Sequence, residues 1–277
     1  MAVVHDLHAH STYSDGTLTP TLLVRRAQAQ GVGVLALTDH DGLDGLPEAE
    51  AAARECGIRL IPGVEVSVSW AGRTLHVLGL GVDPADAGLR EGLARLRAFR
   101  GWRAEEIARR LEAHGIPDAY AGAKGYAHGA IIGRTHFARH LLALGKARNF
   151  GHVFKRYLTQ GKPGHVPGQW ASLEEALGWI HGAGGQAVLA HPARYKLTRT
   201  KLNILLEEFR AAGGEGLEVI SGSHAPRDSV LMATFARRHG LLASVGSDFH
   251  DPDGGYAELG RLPELPAGCR PIWHTWH

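Results

Sequence analysis

The feature that most constrains this chain is an alternation of short apolar runs with amphipathic helical stretches. Val3 to His8 reads as extended, Thr19 to Gln30 as helical, Val34 to Thr38 as extended, Pro47 to Cys56 as helical and Ile58 to Val66 as extended. Such a sequence buries the apolar faces of both element types only as a repeating βα unit, with strands side by side and helices packed outside. Thr19 before Pro20 supplies an N-cap with proline at the first helical position, and Gly31 stands where that helix should stop. Arg73 to Gly81 adds a strand, followed by an Arg- and Ala-rich helical stretch from about Ala87 to His114.

The alternation lapses between Gly115 and His165, where Gly, His and aromatic residues crowd in, and a small, mostly helical insertion is expected. It resumes with Ser172 to Gly182 (helix), Gln186 to Ala190 (strand), Thr198 to Ala212 (helix), Leu217 to Ile220 (strand), Pro226 to His239 (helix) and Leu241 to Gly246 (strand). Six or seven parallel strands fit. Without the insertion, the 277 residues shrink to about 200, where (β/α) barrels begin. The expectation is an α/β fold: a small TIM-like barrel from residues 1–87 and 166–277, with residues 88–165 forming a basic helical cap.

Composition narrows the chemistry. At 44% hydrophobic and 21% charged residues the chain can bury a core, which excludes disordered and fibrous classes. No apolar run approaches the roughly 18 residues of a membrane helix and no secretory leader is evident, so a cytoplasmic protein without membrane contact or an obligate protein partner is expected. Cys56 and Cys269 cannot form a disulfide framework or a thiolate metal site, so nitrogen and oxygen must hold any metal. Eighteen histidines, more than the 7 Phe and 6 Tyr together, point the same way. Net charge is +2, yet Gly88 to His165 holds 15 Lys and Arg against 5 Asp and Glu, a balance of +10, leaving −8 elsewhere. The arginines between Arg90 and Arg110 suit a basic cap or a solvated helix face equally well.

Candidate ligands gather at strand ends. His8 and His10 alternate on one face of the first strand. Asp15 follows in Ser14-Asp15-Gly16, His40 in Thr38-Asp39-His40 and Glu65 in Gly63-Val64-Glu65; His76 lies within the fourth strand. His191 precedes Pro192 after a later strand, and Asp248 and His250 follow the last. In a barrel of parallel strands all C-terminal ends meet at one rim, where such folds place their active sites. Nine candidate ligands exceed what one ion needs. Asp6 and Asp39 read as groups that orient the histidines.

In that order, H-x-H, S-D-G, T-D-H, a lone Glu, a lone His, H-P and D-x-H, the chain resembles the PHP family, named for polymerase and histidinol phosphatase. The resemblance implies a distorted seven-stranded (β/α)7 TIM-like barrel and three metal sites, manganese being favoured over iron or zinc. It assigns His8, His10, Glu65 and Asp248 to one metal, Asp15, His40 and His250 to a second, and Glu65, His76 and His191 to a third. Gly133-Arg134-Thr135-His136 and Gly161-Lys162-Pro163 look like the subgroup that dephosphorylates nucleoside 3′,5′-bisphosphates and trims short RNA from its 5′ end. Thr135 departs from the proline expected there.

The implied activity is removal of the 3′-phosphate by attack of a metal-bound hydroxide, with a nucleotide or a short RNA as the substrate. Arg134 and Arg194 are the expected phosphate contacts because guanidinium offers a planar fork to phosphate. Lys162 and His136 are further candidate contacts, and His224 is a candidate to bind phosphate or protonate the leaving oxygen. The alternatives are a 5′-3′ exoribonuclease, a histidinol phosphate phosphatase and a non-catalytic metal-binding module. The +10 cap argues against a cationic substrate and the complete ligand set against the last. Leu262 to His277 suggests no function.

Overall fold

Strand β1 (Val4–Asp6) pairs in parallel with β2 (Val32–Leu37), and β2 with β3 (Arg59–Trp70). In the computed structural model, residues 3–253 and 257–276 are described. β4 (Arg73–Leu80) runs antiparallel to β3 and to β5 (Gln186–Leu189), after which β6 (Gly216–Ser221) and β7 (Leu242–Gly246) continue in parallel. Leu7 N–H donates to Val245 O at 3.0 Å and Asp248 N–H to His8 O at 2.9 Å, drawing the last strand against the first. Among the described residues, the result is a nearly closed, distorted barrel of seven strands in sequential order.

β4 corrects the expectation of an all-parallel set. Only Ala71 and Gly72, with φ of 45° and 73°, separate β3 from β4. Two residues can turn a hairpin but cannot make the crossover a parallel neighbour requires. Reversal places the first half of β4 at the rim where the parallel strands end. His76, opposite Ser67 in the pairing, therefore reaches the rim from mid-strand.

The outer helices start where local chemistry dictates. Thr19 Oγ1 accepts from Leu22 N–H and Pro20 opens α1 (Pro20–Ala29), which buries Leu23, Val24 and Ala27. α2 (Leu46–Cys56) ends on Gly57 in a left-handed turn. Next comes α3 (Ala87–Glu112), whose first half packs Leu89, Leu93 and Leu96 into the barrel core. Its second half packs Ala104, Ile107, Ala108 and Leu111 with residues of α4 (Ala119–Lys124), α5 (Arg134–Ala143) and α6 (Phe150–Val153) in a separate core. A boundary at residue 88 thus runs into a helix that both parts share. Arg100 and Arg103 of α3 are buried, not solvated.

Beyond the cap, Ser172 and Glu175 form a reciprocal capping box on α7 (Leu173–Gly182), and α8 (Arg199–Ala211) and α9 (Pro226–His239) complete the outer layer. The C-terminal residues have a structural role that the sequence did not suggest. Ile272 joins the core beside Leu7 and Val188, Trp273 stacks on His5 at 4.2 Å, and Trp276 Nε1 donates to Gln186 Oε1 at 2.6 Å. These contacts gather at the strand starts, opposite the ligand rim; His277 lies outside the described residues. Among the described residues no helix is long and apolar enough to cross a membrane.

Candidate metal centre

Glu65 is the hub of the rim. Its Oε1 lies 2.8 Å from His76 Nδ1, 3.0 Å from His191 Nε2 and 3.4 Å from His8 Nε2. Its Oε2 lies 2.8 Å from His40 Nδ1 and 3.3 Å from His10 Nε2. One fully buried carboxylate therefore faces five imidazoles from β1, β2, β4 and β5 or the segments just after them. Asp248 Oδ1 lies 3.4 Å from both His8 Nε2 and His10 Nε2, and Asp15 Oδ1 lies 3.2 Å from His250 Nε2 and 3.7 Å from His40 Nε2. All nine residues singled out in the sequence converge.

The convergence suits cations better than hydrogen bonds. His8 Nε2 and His10 Nε2 approach to 3.1 Å, two ring nitrogens of which at most one can donate to the other. His40 Nδ1 and Glu65 Oε2 lie 2.8 Å apart, yet each is buried without a hydrogen-bond partner, as are Asp15 Oδ1 and His191 Nδ1. Buried polar atoms left unpaired are costly, and a shared cation satisfies them. Among the described residues, four overlapping groups bring their ligand atoms within 4.8 Å of one another: His10, Asp15, His40 and His250; His8, Glu65 and His191; His8, His10 and Asp248; His40, Glu65 and His76. Nitrogen and oxygen donors without sulfur fit Mn, Fe or Zn. The residues fit divalent ions.

Electrostatics follow from the crowding. Burial raises a carboxyl pKa, but neighbouring imidazoles hold Asp15, Glu65 and Asp248 well below the ordinary range. Burial, together with His250, pushes His10 down to about 3, and burial takes His76 down to about 4. Burial also opposes the charged form of His250, yet Asp15 beside it carries its pKa to about 9. Backbone strain concentrates here as well: Asp41, His191 and Asp248 have φ of 48°, 28° and 54° without being glycine.

The groups that hold the ligands differ in part from expectation. Asp6 and Asp39 orient loops more than histidines. Asp6 accepts from Ser247 N–H and Gly260 N–H, at 2.8 and 2.9 Å, fixing the turn before Asp248. Asp39 accepts from the hydroxyls of Ser11 and Ser14, fixing the turn before Asp15. Glu218, which the sequence reading passed over, takes His8 Nδ1–H at 2.9 Å and His191 N–H at 2.5 Å. The missed signal was a glutamate inside the wholly buried strand Gly216–Ser221, where a charge needs partners. Gly246 makes room for it: a Cβ there would stand 2.3 Å from His8 Cβ and 2.6 Å from Glu218 Oε1.

A cavity of about 730 Å³ lies between rim and cap. Ligands line one side; Arg100, Arg103, Arg134, Arg139, Arg148 and Arg194 and the aromatic rings of Tyr126, Phe150, Phe154 and Trp170 line the rest. Arg194 Nη1 donates to Asp248 Oδ2 at 2.6 Å. Arg134 lies over the Phe154 ring, 5.9 Å from its centre, where burial and the neighbouring Arg100 and Arg194 lower its pKa. The same causes, burial first and then Arg134 and Arg100, bring Arg103 to about 9.

Three other expected contacts do not line this cavity. Lys162 is exposed on the cap. His136 is buried, its Nδ1 accepting from Gly133 N–H as part of the helix start, and burial lowers its pKa to about 4. His224 has both ring nitrogens engaged, Nε2 facing Ala193 N–H at 3.4 Å and Nδ1 facing Val219 O at 3.3 Å. It braces the turn that carries Arg194.

Comparison with known proteins agrees with this centre. The PHP domain family matches residues 6–187, which include six of the nine converging candidate ligands. The chain belongs to the PHP family. Among PHP relatives, the 3′,5′-nucleoside bisphosphate phosphatase of Chromobacterium violaceum is 52% identical over 269 residues, covering 97% of this chain and 94% of that protein. The 5′-3′ exoribonuclease of Haemophilus influenzae is 46% identical over 276 residues, covering 100% of both chains. A putative metal-dependent phosphoesterase from Bifidobacterium adolescentis superposes with a TM-score of 0.83 at 29% identity, covering 98% of this chain and 94% of that one.

Proposed function

We propose that this PHP enzyme is a metal-dependent phosphoric monoester hydrolase that removes the 3′-phosphate from nucleoside 3′,5′-bisphosphates, such as adenosine 3′,5′-bisphosphate. The observation that carries the reading is the placement of seven residues of a nine-residue His and carboxylate cluster, together with six arginines, on the walls of one cavity. Clustered divalent ions, when bound, neutralise phosphate oxygens and make a nearby water acidic enough to yield hydroxide near neutral pH. Three ions are proposed, manganese favoured, with Glu65 shared because a carboxylate has two oxygens to offer.

The chain's own residues do the rest. Arg194, held by Asp248 at the rim, meets the phosphate undergoing attack. Arg134 takes the second phosphate: among the described residues no carboxylate lies against it, and a buried guanidinium gains most from a dianion. Phe150 and Phe154, with ring centres 5.9 Å apart, offer the base an apolar face on the cap side. The cap, proposed as residues 88–165, supplies most of this anion-binding wall and excludes water. The positive cavity favours a doubly phosphorylated substrate over histidinol phosphate, whose amine it repels.

A second reading, a 5′-3′ exoribonuclease on short RNA, is favoured by an aromatic series leading away from the cavity. Trp170 lines it, Phe99 packs edge-on against Trp170 at 4.8 Å, and Trp102, 5.5 Å beyond Phe99, is 53% exposed. Successive bases stack on such rings without regard to sequence. Phosphate release from Mn-loaded protein, with adenosine 3′,5′-bisphosphate, histidinol phosphate, 5′-AMP and a 5′-phosphorylated trinucleotide, tests both. The bisphosphate should be hydrolysed fastest and 5′-AMP accumulate. A preference for histidinol phosphate, or full activity after chelation, overturns the proposal; preference for the trinucleotide selects the second reading.

A further inference from the structure

The loop after β1 packs against the cap. Gly129 packs so tightly on it that a Cβ would lie 2.8 Å from Tyr13 O, and Arg139 Nη2 donates to Asp15 O at 3.0 Å. Thr135 adds a side-chain contact, its Oγ1 donating to Asp15 Oδ2 at 2.5 Å. Asp15 is thereby divided between two tasks. Its Oδ2 is held by the cap, while its Oδ1, buried and without a hydrogen-bond partner, faces His250 and His40.

We propose that Thr135 is a positioning residue that fixes the rotation of the Asp15 carboxylate, so that the cap completes the cation site of Asp15, His40 and His250. A carboxylate bound at one oxygen only can swing about its Cβ–Cγ bond, and both cation affinity and geometry suffer when it does. The hydroxyl removes that freedom, and donation to Oδ2 leaves Oδ1 to the cation. Thr135 is the second residue of α5, directly after Arg134, so one helical turn carries both the proposed substrate contact and the metal-ligand contact. The cap is then part of the metal centre and not only its cover. Proline at this position would offer no hydroxyl, which makes the contact a property of this chain's own residue.

The proposal rests on the metal-dependent reading, and calorimetric titration of Mn2+ into chelator-stripped protein separates the two. Thr135→Val should weaken one class of bound Mn2+ by about 10–100-fold and leave the other equivalents unchanged; Thr135→Ala, which makes no demand on packing, should do the same. Thr135→Ser, which keeps the hydroxyl, should restore that class. In an Asp15→Asn background, Thr135→Val should cost nothing further. Wild-type Mn2+ binding by folded Thr135→Val and Thr135→Ala overturns the positioning role and leaves the function standing. A wild-type protein that binds no Mn2+ overturns both.

Discussion

Glu218 and His8 stand 210 positions apart in the chain, yet Oε1 of one accepts from Nδ1 of the other at 2.9 Å, with both side chains fully buried. The bond fixes the tautomer of His8, directing the Nε2 lone pair at the ligand cluster. Glu218 also anchors His191 through its backbone N–H, so one carboxylate on β6 sets two ligands. Glu218→Gln should lower Mn2+ affinity and turnover together by about 10–100-fold. Metal content after dialysis and phosphate release at saturating Mn2+ would check this; unchanged values for both would remove Glu218 from the design of the site.

The metal-free protein should be most stable near pH 6.5. His250 has a folded pKa of about 9, above its unfolded value, so its contribution is complete below about 6.5 and disappears as pH rises through 9. His10 and His76, at about 3 and 4 in the fold, work in the opposite sense. On unfolding below pH 6.5 they take up protons, so stability falls as pH drops from 6.5 towards 4. Melting curves with chelator between pH 4 and 9.5 should show this dome. Saturating Mn2+ should flatten its alkaline side, because bound ligands are already deprotonated. A melting temperature that rises steadily from pH 6.5 to 9 without metal would sink the argument.

Arg100 on α3 and Asp41 after β2 form a buried ion pair at 2.6 Å, with Arg100 Nη2 also donating to Ser67 Oγ at 2.8 Å. Asp41 adjoins the ligand His40 and holds a left-handed backbone, so the pair ties cap to rim. Arg100→Met should destabilise by about 3–5 kcal/mol, since it leaves a carboxylate buried without its partner. Adding Asp41→Asn should recover part of that loss. Denaturant unfolding of the two single variants and the double would reveal strict additivity if the pair is unimportant.

The barrel and the gathering of the candidate ligands at one rim were legible because both obey local rules. Helix starts at Thr19 and Ser172 follow from side chains that cap within one turn, and strand-end histidines announce a rim wherever strands are parallel. Three things were hidden, each for a physical reason. The reversal of β4 depends on a two-residue turn at Ala71 and Gly72, which alternation of apolar runs does not register. Whether Arg100 and Arg103 belong to a basic cap or a solvated face cannot be read locally, since burial of a guanidinium is set by tertiary partners: Asp41, the Val166 carbonyl and the Trp170 ring. His224 follows a strand, which suggests a phosphate contact or proton donor; the surroundings of its two nitrogens, Ala193 N–H and Val219 O, come from tertiary packing that no local pattern registers.

The two cap cations suggested by the same resemblance should separate cleanly in kinetics. Arg134 lies inside the cavity against Phe154, whereas Lys162 is exposed and away from it. A guanidinium that binds the non-reacting phosphate contributes equally to ground and transition states, so its removal raises KM and leaves kcat nearly unchanged. Loss of a charge-assisted hydrogen bond of about 1.5–3 kcal/mol corresponds to roughly a 10–150-fold rise. Arg134→Ala should show that rise for adenosine 3′,5′-bisphosphate, and Lys162→Ala should leave both constants within about twofold, because exposed charges are screened. Steady-state kinetics on the two variants decides. An unchanged KM in Arg134→Ala, or a Lys162→Ala enzyme as impaired as Arg134→Ala, would move the second phosphate away from the Phe154 wall and onto the outer face of the cap.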